Sequence, residues 1–165
     1  NETDNIDDFL SELRIKYFSP VDVAKYQSQN KFDICVSKDT IEHIPIKKID
    51  SILKNIKNLL LDNGLLISCV DYSDHYAHID KRLSNLNFLK YSNFIWNFFN
   101  PPNHYQNRIR HVDYIKILQK NNFINIDESL INETRLDIKP SILYKKYKET
   151  DLLVLRSQIS SLNKI

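Results

Sequence analysis

Apolar and polar positions recur along this chain with two periods, and the switches between them mark its elements. Ile6, Phe9, Leu10 and Leu13 fall at helical spacing, which predicts a short amphipathic opening helix. Residues 15–18 are a short strand candidate, stopped by Ser19-Pro20. Residues 32–37, FDICVS, form a continuous apolar run with β-branched members, the pattern of a parallel strand buried on both faces. Pro45 suits the first turn of a helix. Ile49, Ile52, Leu53, Ile56, Leu59 and Leu60 then give an unbroken helical stripe. Asp62-Asn63-Gly64 should end it, with Gly64 taking a positive φ. Residues 65–70 read as a second buried strand. Strand, helix, turn and strand make a βαβ unit, whose crossover is nearly always right-handed.

The pattern breaks between Asp71 and His111, a stretch rich in asparagine and aromatics, Trp96 among them. Its first half predicts a helix around residues 83–98, and Pro101-Pro102 ends anything helical. A long insertion of this kind in an α/β domain is often a lid or substrate wall, so residues 72–111 are assigned that role within one domain spanning residues 1–165. Val112, Ile115 and Leu118 predict another helix, closed by Asn121-Asn122. Residues 124–130 and 152–159 read as the last two strands. The four lysines of residues 139–148 read as a solvated loop rather than a phosphate-binding patch.

Composition adds three points. A net charge of +2 is too small to argue for nucleic acid or a membrane surface, and neither is expected as a partner. Cys35 and Cys69 each sit in an apolar run, which reads as buried, reduced thiols in a cytoplasmic protein. Gly64 is the single glycine, so no glycine-rich nucleotide turn can be written anywhere in the 165 residues.

In an open α/β sheet, ligands bind beyond the carboxyl ends of the strands. The polar residues after FDICVS and after LLISCV are therefore the ones that matter, from Ser37 to His43 and from Asp71 to His78. Here a resemblance becomes specific. The ordered set Asp22, FDICVSKDTIEHIP, a helix, Asp62-Asn63-Gly64-Leu65 and LLISCVDYSDH resembles the middle of class I S-adenosylmethionine-dependent methyltransferases. It is similar to the branch found with glycan and lipopolysaccharide biosynthesis.

The resemblance implies an α/β fold with an incomplete Rossmann-like sheet, lacking the first two strands and the glycine-rich turn. The chain is accordingly expected to be the C-terminal portion of a longer protein and a poor binder of the cofactor, S-adenosylmethionine. It implies that Asp22, with Val23 beside it, takes the adenine amino group; a turn aspartate after Pro20 is the alternative. Ser37 and Lys38 match the segment lining the methionine part of the cofactor. His43, of the Glu42-His43 pair, matches a cofactor-side position, with a structural histidine as the alternative.

For methyl transfer to a hydroxyl, an enzyme must position the acceptor and remove a proton. His75 is the candidate base, with Asp71 or Asp74 to orient it. Asp71, Asp74, His75 and His78 also permit a divalent-metal reading, but spacing on a loop is weak support and no metal is assigned. Arg108 and Arg110 could anchor an anionic acceptor, with Trp96 on the wall, although structural ion pairs would use arginines equally. The expected acceptor is a small or glycan-linked molecule. The competing reading is a non-catalytic interaction module.

In the resembling fold the strand order is 3-2-1-4-5-7-6, so FDICVS should have a neighbour on each side, and LLISCV can supply one. The bare edge would recruit a partner. Either residues 15–18 move in beside it, or two chains self-associate there.

Overall fold

The computed structural model describes residues 6–164. Its centre is a four-stranded open sheet in the order β1-β2-β4-β3, built from β1 (Phe32–Lys38), β2 (Leu60–Asp71), β3 (Phe123–Asn132) and β4 (Val154–Asn163). β1 and β2 are parallel, and β4 runs antiparallel to both β2 and β3. This is the expected order read from its fourth strand onward. The chain leaves β2, lays β3 two positions away and returns with β4 between them.

The helix between β1 and β2 is α2 (Ile46–Leu59), and its stripe does what the pattern predicts. Ile49 and Leu53 are fully buried against Leu66 and Val70 of β2, together with Tyr114 and Leu118. The last two lie on α5 (His111–Lys120), the helix that leads into β3. Truncating Leu53 to alanine in such a core would cost about 3 kcal/mol. Tyr114 Oη and Ser68 Oγ share a hydrogen bond of 2.8 Å within the same layer, so this buried hydroxyl pair is satisfied.

Several local expectations change. Residues 15–18 are not a strand; they are exposed chain after α1 (Ile6–Glu12) and pair with nothing in the sheet. The reason is apparent in their burial: Ile15, Tyr17 and Phe18 remain 48–75% exposed, so no core rewards ordering them as a strand. FDICVS is not buried on both faces, since Ile34 and Val36 are 55% and 63% exposed while Cys35 packs inward. Cys35 and Cys69 are free thiols but only half-buried. The positive φ after α2 belongs to Asn63, at 60°, and not to Gly64. Gly64 is needed for a different reason: a Cβ there would meet Leu61 O at 2.9 Å.

The expected helix over residues 83–98 is instead a 3₁₀ turn, Asn87–Lys90, followed by the short α4 (Asn93–Phe98). α3 (Tyr76–Ile79) precedes them. The fourth strand starts at Val154 because α6 (Glu149–Leu153) takes Leu152. Leu86, Phe88, Leu89 and Trp96 form a second apolar cluster with Tyr144 and Leu152, so the aromatic stretch packs on the segment before β4.

Candidate functional site

Because β1 and β2 are parallel, their carboxyl ends emerge side by side, with Lys38 opposite Cys69. The Asp39 N–H donates to Cys69 O at 3.0 Å, and Asp39 turns the chain with a φ of 48°. Beyond β1 the chain enters a 3₁₀ turn, Ile41–His43. Beyond β2 it enters the loop from Tyr72 to His75 that leads into α3. A third segment, the 3₁₀ turn Pro102–His104 and the chain up to Arg110, closes over both.

Two neighbouring amides lock these three segments together. Asn107 Nδ2 donates to Ile41 O at 2.7 Å and to Ile44 O at 2.8 Å, while its backbone N–H donates to Glu42 O at 2.7 Å. Gln106 Nε2 donates to Ser73 O at 2.6 Å, and its Oε1 accepts from the His75 N–H at 3.3 Å. Both side chains are buried, so these bonds are shielded from competing water. No periodicity in the sequence marks either residue.

The result is a cluster of imidazoles. The ring centroids of His43 and His75 are 5.0 Å apart, those of His75 and His78 5.1 Å, and those of His75 and His104 6.4 Å. His104 is exposed and folds back to the rim of the site. Burial pushes His75 down to about 4, and the neighbouring imidazoles reinforce this against the opposing pull of Asp71. His75 is thus neutral at neutral pH, with a free nitrogen lone pair.

The carboxylates do not orient His75 as expected. Asp74 is fully buried and serves its own loop, accepting from the Tyr76 N–H at 2.9 Å and from Asn87 Nδ2 at 3.2 Å. Asp71 Oδ1 accepts from the Ser73 N–H and O–H, at 2.8 and 2.6 Å, and Oδ2 accepts from Arg156 at 2.7 Å. Burial works to raise the Asp71 carboxyl, but these donors outweigh it and hold it below its usual range. Since Ser73 Oγ gives its proton to Asp71, it can only accept from His78 Nε2, at 3.0 Å. Among the described residues the His75 ring has no hydrogen bond to either carboxylate.

Glu42 differs from these satisfied groups. It is 1% exposed, and its Oε2 has no hydrogen-bond partner. Burial lifts its carboxyl to about 7.

The two arginines diverge. Arg110 is fully buried and donates to the carbonyls of Tyr72, Leu152 and Val154, so it ties the insertion to the start of β4. It cannot anchor an acceptor, because it is fully buried beneath these carbonyls and no solvent-borne group reaches it. Arg108 is half-buried and donates to Phe88 O, Tyr91 O and Asn93 Oδ1, with its guanidinium 5.4 Å over the Trp96 ring. Arg108 and Trp96 line one cavity of about 300 Å³ with Gln106 and Asn107 at its back. Ser37 is half-buried and Lys38 exposed at the end of β1, and Lys38 borders a second cavity of about 230 Å³. Asp22 Oδ1 accepts from the Ala24 N–H at 3.1 Å within an exposed turn. Asn55 of α2 donates to Val23 O at 2.8 Å and fixes that turn against the helix.

A parallel pair, an antiparallel strand inserted last, and polar loops at the carboxyl ends match part of a Rossmann-like methyltransferase sheet. The chain has this fold with part of it lacking, and its structural neighbours are S-adenosylmethionine-dependent methyltransferases. An enzyme of that class from Clostridium acetobutylicum superposes with a TM-score of 0.57 at 12% identity, over 98% of this chain and 71% of the other. The 1,6-didemethyltoxoflavin-N1-methyltransferase of Burkholderia thailandensis, with its substrate and S-adenosylhomocysteine bound, gives 0.59 at 11% identity, over 100% and 59%. Magnesium protoporphyrin IX methyltransferase from Synechocystis, with S-adenosylhomocysteine, gives 0.54 at 14%, over 96% and 57%. The chain thus spans under two thirds of the length of the latter two enzymes. No protein-family model and no curated protein sequence matches it. Among the described residues no helix is long and apolar enough to cross a membrane.

Proposed function

We propose that this chain carries the acceptor-side half of a methyltransferase site and serves methyl transfer from S-adenosylmethionine to a small or sugar-linked acceptor. The observation that carries the reading is the junction of three polar segments at the carboxyl ends of β1 and β2, where open α/β sheets bind their ligands.

The residues present fit part of the cofactor. Asp22 keeps one carboxylate oxygen outside its turn bond, and it stands 3.9 Å from Lys25 at an exposed surface that an adenine amino group could reach. Ser37, Lys38 and the turn to His43 offer backbone and side-chain donors at the strand end. A glycine-rich phosphate-type cradle is absent from the sequence, so binding by this chain alone is weak.

When bound, the cofactor supplies a methyl group on a cationic sulfur. This chain's residues do the rest. Gln106 and Asn107 fix the two loops, and His75 would hold an acceptor hydroxyl and receive its proton. Residues 72–111 form the wall of the acceptor site, with Trp96 and Arg108 lining its cavity.

Methyl-transfer assays on the protein with a panel of hydroxyl acceptors test this. His75→Ala should lower kcat about a hundredfold, and His104→Ala at the rim should change it less than about threefold. Equal effects of the two substitutions would remove His75 from the catalytic role.

The exposed edge of β1 favours a second reading, in which the chain docks another protein through that edge. β1 pairs with β2 alone among the described residues, and Ile34 and Val36 lie bare beside its free edge. Self-association of two chains there is the form proposed. Sedimentation at micromolar concentration tests it, and a strict monomer would contradict it.

A further inference from the structure

The donors gathered at the carboxyl end exceed what methyl transfer uses. Glu42 Oε2 is buried without a hydrogen-bond donor. A carboxylate oxygen so placed is costly unless a proton or a cation sits against it. Two imidazoles lie within reach of that carboxylate. One ligand-competent atom from each of Glu42, His43 and His75 lies within 4.8 Å of the others.

We propose that Glu42, His43 and His75 form a binding site for a divalent transition-metal ion, with Zn²⁺ the ion this donor set suits best. Two imidazoles and one carboxylate are the ligands of open zinc sites, which leave a coordination position for water or a small ligand. Ligand atoms on a tetrahedral zinc stand roughly 3.3 Å apart, so the three side chains close slightly inward on the ion.

The surroundings match what ligating residues need. His43 shares a hydrogen bond of 2.9 Å between Nδ1 and Tyr105 O. A carbonyl can only accept, so Nδ1 carries the proton and Nε2 keeps its lone pair. Such a bond fixes the tautomer and ring orientation of a metal-bound histidine. Asn107 holds the turn that carries Glu42 and His43, and Gln106 holds the His75 backbone. His43 is exposed, so the open position faces solvent and accepts an oxygen donor of a small molecule.

A second group of three, Asp71, His75 and His78, is equally close. The two members it does not share with the first group are already satisfied. Asp71 is held by Ser73 and Arg156, and His78 Nε2 donates to Ser73. The orphaned oxygen is on Glu42, which selects the first group. A neutral imidazole has one lone pair, so His75 either ligates the ion or acts as the base of the proposed transfer, and with the ion bound this site replaces that base role.

Calorimetric titration of metal-stripped protein with ZnCl₂ at neutral pH is the test, with circular dichroism to establish that each variant is folded. Wild type should take up one Zn²⁺ per chain with a Kd below about 1 μM. Glu42→Gln and the exposed His43→Ala should each weaken binding at least about tenfold, and His78→Ala less than about threefold. The proposal is overturned if wild type binds no tighter than about 100 μM. It is equally overturned if folded E42Q and H43A bind as wild type does, or if H78A is the variant that loses the ion.

Discussion

The carboxyl end of β1 and the free edge of the same strand lie a few residues apart, yet they are built in opposite ways. At the end, Asn107 and Gln106 reach across from another segment and donate to the carbonyls of Ile41, Ile44 and Ser73. Along the edge, Ile34 and Val36 are more than half exposed and the backbone has no second strand among the described residues. The covered side of the sheet is also cross-tied, since Asp50 of α2 binds Lys120 and Asn121 at the end of α5. The contrast separates a surface fixed by buried hydrogen bonds from one that is bare. Fixed dipoles cost no reorganisation when a ligand arrives, and a loose edge offers only area.

Removing the clamp should have the largest effect. Asn107→Ala strips donors from Ile41 O and Ile44 O and an acceptor from the Ile109 N–H, all around a site that is 5% exposed. We expect a loss of about 3 kcal/mol in a denaturant melt, together with loss of ligand response at His43. A loss under about 1 kcal/mol would show that the loops hold without it.

The cross-tie should matter less, and only over part of the pH range. Asp50 is held below the usual carboxylate range, first by its hydrogen bond with Lys54, then by Asn121 and Lys120. A depressed folded-state value means that the stabilisation is present above the unfolded value and is lost as pH falls through the folded one. Asp50→Asn should therefore lower Tm at neutral pH, and the gap to wild type should shrink as pH drops below about 4. A gap that stays constant down to strongly acid pH would mean that the charge contributes nothing.

The smallest effect on stability belongs to the bare face. Ile34→Lys should change stability by less than about 0.5 kcal/mol, because the side chain is 55% exposed. It should nevertheless reduce self-association in sedimentation. A large destabilisation would show that this face is covered within the monomer.

Much of the frame was legible in the pattern. The α2 stripe and both parallel strands follow from patterns that local physics enforces, whereas the strand order was expected from the family resemblance alone. The failures share a cause, which is that tertiary contacts override local preference. Residues 15–18 carry strand-like residues but find no core, and Asn63 takes the left-handed turn because Gly64 is needed for close approach to Leu61. Arg108 and Arg110 look alike in sequence, and only the fold shows that the terminal nitrogens of Arg110 are taken by carbonyls of residues 38 to 44 positions away. Gln106 and Asn107 were invisible for the same reason: their partners lie 33 and 66 positions away. His43, His75 and His78 were legible as polar residues at strand ends, whereas the convergence of His104 on them was not.

On this reading the carboxyl ends of β1 and β2 are the cofactor-facing surface. Amide chemical shifts of the isotope-labelled chain, followed while S-adenosylhomocysteine is added, are the decisive test. We expect weak, saturable binding, with a Kd above about 10 μM, and shifts concentrated at Asp22, Val23, Ser37, Lys38 and His43. Shifts confined to the Trp96 and Arg108 cavity, or none up to about 5 mM ligand, would contradict it.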